Sequence, residues 1–413
     1  MNFNTQLLHG CEEGDKNTGA TLTPVFQSSA FYQPSAEQHE LLFANKASGF
    51  SYTRINNPTI LAFEQRMTNL EHGISSGACA SGMAAITNAI MNITQAGGDI
   101  VVSTSLYGGS IDLFHDLEPF GIHTIYVDGN DLEKVEAAIT DKTKLLFAET
   151  IGNPKLDVVD IEEMAKVAHR HGIPLIMDNT VATAYLVTPI DLGADIVINS
   201  TSKYINGSSN SISGVLTDSG NFSWDPEKYP GLKDYLKFGK FAFTAKLRNG
   251  LFRNTGACMA PQTAFYNMLG METLGLRMER VCSNAMKLAE HLSKKDGITV
   301  NYPGLETSPW HKVAQKTLHN GYGAILTIRV GTKEKAFALM NTLKIPNIVS
   351  NIGDTKTLIV HPESTISAHS TREEKENAAV YEDMIRISLG IEDIEDIIED
   401  FDKAIAIIHE EDQ

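Results

Sequence analysis

The chain is most tightly constrained by a series of short, almost wholly apolar segments separated by helical patterns. Segments 99–104, 123–128, 144–150, 174–179 and 195–201 read as strands. Strands apolar on both faces belong to a covered sheet, and helices between them make that sheet parallel. The 161–171 pattern, closed by Gly172, is one such crossover. Right-handed crossovers then predict a doubly wound α/β domain over residues 58–255. Pro58 suits the first turn of its opening helix, with Leu61, Met67 and Leu70 at helical spacing and Gly73 beyond.

On either side the pattern changes. Residues 1–57 show no sustained periodicity and are rich in Gly, Thr, Ser and Asn. An irregular arm of that length is usually functional. After Pro261 a helical stretch runs to about Lys295, with a break near Gly275, and leads into a smaller C-terminal α/β domain within 256–413. Its strands are expected at 323–330, 347–351, 357–361 and 384–389. The 391–408 segment places Ile391, Ile394, Ile398, Phe401, Ile405 and Ile408 on one stripe away from its acids. That is an amphipathic surface helix with a solvated charged face.

Composition removes several function classes. At 413 residues the chain exceeds one small core. Its 34 basic and 51 acidic residues leave a net charge of −17. Such a field repels phosphate backbones and anionic bilayers, so neither nucleic acid nor membrane is an expected partner. Cys11, Cys79, Cys258 and Cys282 lack C-x-x-C spacing or a nearby histidine pair. No metal site or disulfide framework is expected, and reduced thiols fit a cytoplasmic protein. Residues 1–16 have no signal-peptide pattern, and no stretch approaches the ~18 apolar residues of a membrane span.

A doubly wound sheet invites a nucleotide, yet G-x-G-x-x-G and G-x-x-x-x-G-K-[ST] are both absent. Residues 75–86 (SSGACASGMAAI) are small and then helically spaced. They can bring backbone N–H groups to an anion, or simply pack helix against sheet. Asp178 ends one apolar strand, and Ser200, Thr201, Ser202 and Lys203 end another. Ligands of such sheets sit at the carboxyl ends of the strands. The pair suits pyridoxal 5′-phosphate (PLP): the lysine forms a Schiff base, the aspartate keeps the ring nitrogen protonated, and the hydroxyls bond the phosphate. A buried Asp–Lys ion pair is the alternative on these residues alone. In the arm, Arg54 and Tyr52 can grip a phosphate or merely occupy a surface loop.

Together the motifs resemble those of the PLP-dependent enzymes of cysteine and methionine metabolism, which include cystathionine γ-synthase, cystathionine lyases, methionine γ-lyase and O-acetylhomoserine sulfhydrylase. The likeness runs through 52–59 (YTRINNPT), 81–85 (SGMAA), 106–109 (LYGG), 178–180 (DNT), 200–204 (STSKY), 353–355 (GDT), 361–362 (HP) and 386–392 (RISLGIE). It implies an aspartate-aminotransferase-like, fold type I PLP-dependent transferase, with a doubly wound, mostly parallel sheet and a smaller C-terminal α/β domain. It implies Lys203 as the Schiff-base and proton-shuttling lysine, and Tyr107 stacked on the cofactor ring. Asp178 would meet the ring nitrogen and Asn153 the ring hydroxyl. Gly82, Met83, Ser200 and Ser202 would hold the phosphate, with Tyr52 and Arg54 reaching it from a neighbouring subunit. Arg386 would clamp the substrate carboxylate, with Ser350 nearby. The implied assembly is a homo-oligomer, a dimer of shared active sites within a tetramer.

Within that family, segments 238–258, 272–280 (ETLGLRMER) and 301–305 (NYPGL) are most similar to the O-acetylhomoserine sulfhydrylases. Gly109 stands where methionine γ-lyases tend to carry a cysteine. The implied reaction is γ-replacement on O-acetyl-L-homoserine by sulfide or methanethiol, giving homocysteine or methionine and acetate. Methionine γ-lyase or cystathionine γ-synthase activity is the alternative. The 364–369 turn (STISAH) is longer than the family's, and no role is carried onto His369.

Overall fold

A computed structural model describes residues 1–11 and 14–410. Among the described residues, a seven-stranded sheet is formed by β1 (Ser75–Cys79), β2 (Asp99–Ser103), β3 (His123–Val127), β4 (Thr143–Glu149), β5 (Leu175–Asp178), β6 (Ile196–Asn199) and β7 (Gly214–Asp218). Their order is β1-β7-β6-β5-β4-β2-β3. Strands β2 to β6 are parallel, whereas β7 runs against both of its neighbours.

Successive strand residues point to opposite faces, and both faces are buried. Val101, Leu146, Met177 and Val197 enter one hydrophobic core, while Ile100, Phe147, Ile176 and Ile198 enter the other. Helices Pro58–Leu70 and Ile161–Arg170 serve the first core, and Gly82–Ile93 and Gly108–Leu117 serve the second. Their starts follow capping chemistry. The side chains of Asn57, Ser81 and Asp160 accept from backbone N–H groups of Thr59, Ala84 and Glu163.

The five expected strands are all present. Strands β1 and β7 were not expected. The SSGAC run of β1 carries no apolar period and reads as a small-residue loop. It is a strand because β7 pairs with it over Ser75↔Asp218 to Cys79↔Gly214, a long-range partnership that local propensity does not report.

The second sheet comprises β8 (Thr299–Asn301), β9 (Ile325–Arg329), β10 (Asn347–Ile348), β11 (Leu358–Val360) and β12 (Met384–Ser388), ordered β10-β11-β12-β9-β8. Only the β10–β11 pair is parallel; β8 was not expected. Helices Pro261–Glu272 and Leu274–Leu292 meet at Thr273, close to the anticipated break. The last helix begins at Ile394, leaving Ile391 exposed ahead of it. Its buried stripe is Ile394, Ile397, Phe401, Ala404, Ile405 and Ile408, with Ile398 partly buried against the same core, so the stripe is wider than expected and includes Ile397.

The arm is less irregular than its composition suggests. It holds short helices Phe3–His9 and Ala36–Phe43 and a β-bridge between Ala30 and Tyr52. Leu22, Phe26, Tyr32, Leu41, Phe43 and Tyr52 are exposed along it. Among the described residues, no helix is long and apolar enough to cross a membrane.

Candidate active site

At the carboxyl ends of β4, β5 and β6 lies a cavity of about 550 Å³. Glu149 and Asp178 close β4 and β5 side by side in register, and Ser200, Ser202 and Lys203 follow β6. The N-terminus of helix Gly82–Ile93 and Arg386 of β12 complete the walls. The cavity therefore gathers Lys203, Tyr107, Gly82, Met83, Asn153, Asp178, Ser200, Ser202, Arg386 and Ser350 from both sheets.

One end of the cavity is built for an anion. A helix leaves its first backbone N–H groups without intrahelical partners, and its dipole favours negative charge there. A Cβ added at Gly82 would stand 2.7 Å from the Ser200 Cβ, so a side chain there would block the approach. Thr180 Oγ1 accepts from the Ser200 N–H at 2.8 Å, which fixes the serine against the helix start.

Lys203 sits deeper. Its ammonium donates to Asn351 Oδ1, not to Asp178, so the ion pair left open by the sequence is not formed among the described residues. Burial, reinforced by the charge of Arg386, pulls Lys203 down to about 8. A neutral amine is thus accessible near physiological pH, as nucleophilic and base chemistry requires. Burial pushes Asp178 up to about 6 against the opposing hydrogen bonds from Thr180, whose N–H donates to Oδ1 at 2.9 Å. Glu149 beside it is raised further, by burial and then by the Asp178 charge. Two buried carboxyls at adjacent strand ends resist joint ionisation, and a cationic group placed at Asp178 relieves that repulsion.

Arg386 occupies the middle of β12, opposite Val360 and Thr327, rather than the end of its strand. It is only 3% exposed. Nη1 donates to Asn153 Oδ1 at 3.0 Å and Nη2 to the Asn351 carbonyl at 3.1 Å, while Nε is buried with no partner among the described residues. A buried guanidinium without a carboxylate is costly, and a ligand carboxylate would supply the missing charge. Asn153, expected at a cofactor hydroxyl, spends its carbonyl oxygen on Arg386 and retains its amide N–H groups for a ligand.

Tyr107 precedes helix Gly108–Leu117, with its N–H bonded to Glu149 Oε1 at 2.6 Å and its side chain 44% exposed. A Cβ at Gly109 would lie 2.6 Å from the Tyr107 ring, so glycine leaves that ring its present position. Tyr52 and Arg54 are not brought to the cavity. Arg54 Nη1 donates to the Arg253 carbonyl at 2.6 Å, and the guanidinium lies 5.4 Å from the Tyr52 ring centroid.

Glu149, Thr180 and Asn351 are among the cavity residues missed from sequence. Glu149 ends an apolar strand just as Asp178 does, which was a usable signal. Thr180 follows Asp178 within the same motif. Asn351 lies just beyond β10, and nothing local marks it.

The cradle at Gly82, the raised acid at Asp178, the lowered amine at Lys203 and the unmatched charge of Arg386 fit a phosphate, a pyridinium, an aldehyde and a carboxylate in turn. A family model described as Cys/Met metabolism PLP-dependent enzyme matches residues 4–406. The O-acetyl-L-homoserine sulfhydrylase of Corynebacterium glutamicum is 40% identical, over 98% of this chain and 97% of that protein. The homocysteine synthase of Schizosaccharomyces pombe is 39% identical over 98% of each. The L-methionine gamma-lyase of Fusobacterium nucleatum is 38% identical, over 94% of this chain and 95% of its own. Among solved structures, a chain from Campylobacter jejuni assigned as an O-acetylhomoserine (thiol)-lyase, and holding N′-pyridoxyl-lysine-5′-monophosphate, aligns with a TM-score of 0.93 at 31% identity, covering 98% of this chain and all 100% of that one. Fold, cavity chemistry and kinship agree: the chain belongs to the Cys/Met metabolism PLP-dependent enzymes, with their fold type I architecture and their cofactor.

Proposed function

We propose that this enzyme catalyses γ-replacement on O-acetyl-L-homoserine, with sulfide or methanethiol displacing acetate to give homocysteine or methionine. The observation that carries the reading is a buried, carboxylate-free Arg386 beside an amine held near neutrality at Lys203. The likeness to an O-acetyl-L-homoserine sulfhydrylase at 40% and a homocysteine synthase at 39% identity supports the choice of reaction. Gly109 also supports it, since it spares Tyr107 the crowding that a side chain would impose.

PLP, when bound, supplies the electron sink for a carbanion at the substrate α-carbon. Arg386 binds the substrate carboxylate through its fork, with Ser350 at the cavity edge, and so sets the α- and β-hydrogens toward Lys203. The Lys203 amine takes the α-proton and then a β-proton, and returns protons to the same carbons once the γ-substituent has exchanged. Asp178 would hold the ring nitrogen, Tyr107 the ring and Asn153 the ring hydroxyl. The Gly82 and Met83 N–H groups, with Ser200 and Ser202, would hold the phosphate.

With O-acetylhomoserine and sulfide, homocysteine should form much faster than 2-oxobutanoate and ammonia, because a positioned nucleophile outcompetes protonation through effective concentration. Product analysis decides this. Efficient conversion of methionine to methanethiol, with little homocysteine trapped by sulfide, would establish the lyase reading instead.

Arg386→Lys keeps the charge and loses the fork. It should lower kcat/KM by roughly tenfold or more, at ~1.4 kcal/mol per decade, while the yellow cofactor stays bound. An unchanged kcat/KM would make Arg386 structural.

We further infer a cytoplasmic homo-oligomer, a dimer of shared sites within a tetramer. Arm 1–57 contacts a neighbour, 58–255 carries the cofactor, and 256–413 forms the smaller domain. Tyr52 and Arg54 lie outside their own chain's cavity, beside exposed apolar residues of the arm, which supports a role across an interface. Mixing inactive Arg54→Ala with inactive Lys203→Ala subunits in equal amounts should restore about a quarter of wild-type activity, since only one of the two sites in each hybrid dimer is complete. No recovery despite demonstrated subunit exchange would end the shared-site reading.

A further inference from the structure

Cys79 is the last residue of β1, and Cys258 lies across from it on the strap between helices Leu251–Thr255 and Pro261–Glu272. The two residues form an antiparallel β-bridge. The Ala80 N–H donates to the Ala257 carbonyl at 2.8 Å. Because that hydrogen bond joins their neighbours, Cys79 and Cys258 are themselves a non-hydrogen-bonded pair. Cα atoms in such a pair stand about 4.5 Å apart, with both side chains on one face. That spacing falls inside the ~4.4–6.8 Å window of disulfides. Neither cysteine is in a disulfide.

The two thiols differ in access. Cys79 is fully buried, and burial holds its proton firmly. Cys258 is half-buried and lines a separate cavity of about 660 Å³ between the arm and residues 248–259. Of the remaining cysteines, Cys282 is buried on helix Leu274–Leu292 and Cys11 lies in the arm.

We propose that Cys79 and Cys258 are a reversible oxidation site, closing a disulfide in the presence of hydrogen peroxide. Cys258, the reachable thiol, loses its proton and its sulfur attacks a peroxide oxygen. An S–O bond forms, the O–O bond breaks, and the departing hydroxide takes up a proton as water. The Cys79 sulfur, on losing its proton, then attacks the Cys258 sulfur. The S–S bond forms, the S–O bond breaks, and a second water leaves. Two thiols give up two electrons and the peroxide accepts both. The staple ties β1 to the strap entering the C-terminal part of the chain. It lies just ahead of Ser81 and Gly82, so it braces the anion cradle. It rests on the geometry alone and is independent of the reaction proposed above.

The test uses reduced holoenzyme, freed of dithiothreitol and exposed to hydrogen peroxide. After unfolding, the thiol titre should fall from the four of the sequence to two. Digestion without reductant should yield one cross-linked peptide pair, carrying Cys79 and Cys258. Dithiothreitol should restore all four thiols. Cys258→Ser should abolish the cross-link and Cys11→Ser should retain it; should either variant fold poorly, the wild-type peptide map decides alone. A link between other cysteines would overturn the proposal. So would Cys258 recovered as sulfinic or sulfonic acid with Cys79 still a thiol, or both thiols surviving a dose that oxidises them in the unfolded chain.

Discussion

Replacing Lys203 with alanine should lower kcat by roughly 10⁴-fold or more, since acid–base work at one residue is worth roughly 10²–10⁴ and this lysine is also the proposed covalent anchor. The fold should survive, because the Lys203 head contacts Asn351 at a cavity wall rather than packing in either core. Borohydride treatment of wild-type holoenzyme should fix the cofactor on Lys203 alone, as read by peptide mapping. A label on another lysine, or a variant retaining a hundredth of wild-type turnover, would remove Lys203 from its role.

Asp178→Asn should separate stability from function. Removing one member of a buried charged pair costs about 3–5 kcal/mol. Cofactor affinity and kcat/KM should therefore fall by roughly 10²- to several 10³-fold, taking ~1.4 kcal/mol per decade. Without cofactor the sign reverses. Asp178 is raised from an ordinary 3.8 to about 6 by burial, so the folded state binds more protons than the unfolded state between those values. Stability therefore declines as pH rises through that window and does not recover above it. Asparagine never ionises and escapes the decline. Cofactor-free Asp178→Asn should melt at or above wild type at pH 7–8, with the two converging below pH 4. Melting curves across pH, paired with cofactor titrations, check both halves. A variant that melts lower at pH 7–8, or binds the cofactor normally, contradicts this account.

Strands β2, β4, β5 and β6 were legible because successive residues along them enter an apolar core on either side, which leaves a nearly continuous hydrophobic run, while edge strand β3 is only partly buried. The Asp178 and Lys203 placements followed, since a strand's end marks the ligand edge of a parallel sheet. Strand β1 was illegible for the opposite reason. Its Gly77 stands 3.4–3.8 Å, measured from an added Cβ, from Leu247 and Leu216, so its small residues answer to packing neighbours far along the chain. The stripe of the C-terminal helix was drawn too narrow, as Ile397 and Ile398 have the same character and both meet the core, Ile397 fully and Ile398 in part.

By itself the sequence determined the layered α/β architecture, the ligand edge of its sheet, and the residue types able to hold a phosphate, a pyridinium and a carboxylate. These follow from local periodicity and motif chemistry, which the chain carries in contiguous stretches. Tertiary structure alone decided the rest. It buried Asp178 and Glu149 at adjacent strand ends and so raised both acids, Glu149 further through the Asp178 charge, and it turned Lys203 toward Asn351 rather than Asp178. It brought Arg386 from the second sheet to Asn153 of the first half of the chain, and it laid Cys79 opposite Cys258. Each of these depends on a pairing between distant segments, and the free energy of burying a charge or a thiol exists only once that pairing has excluded water.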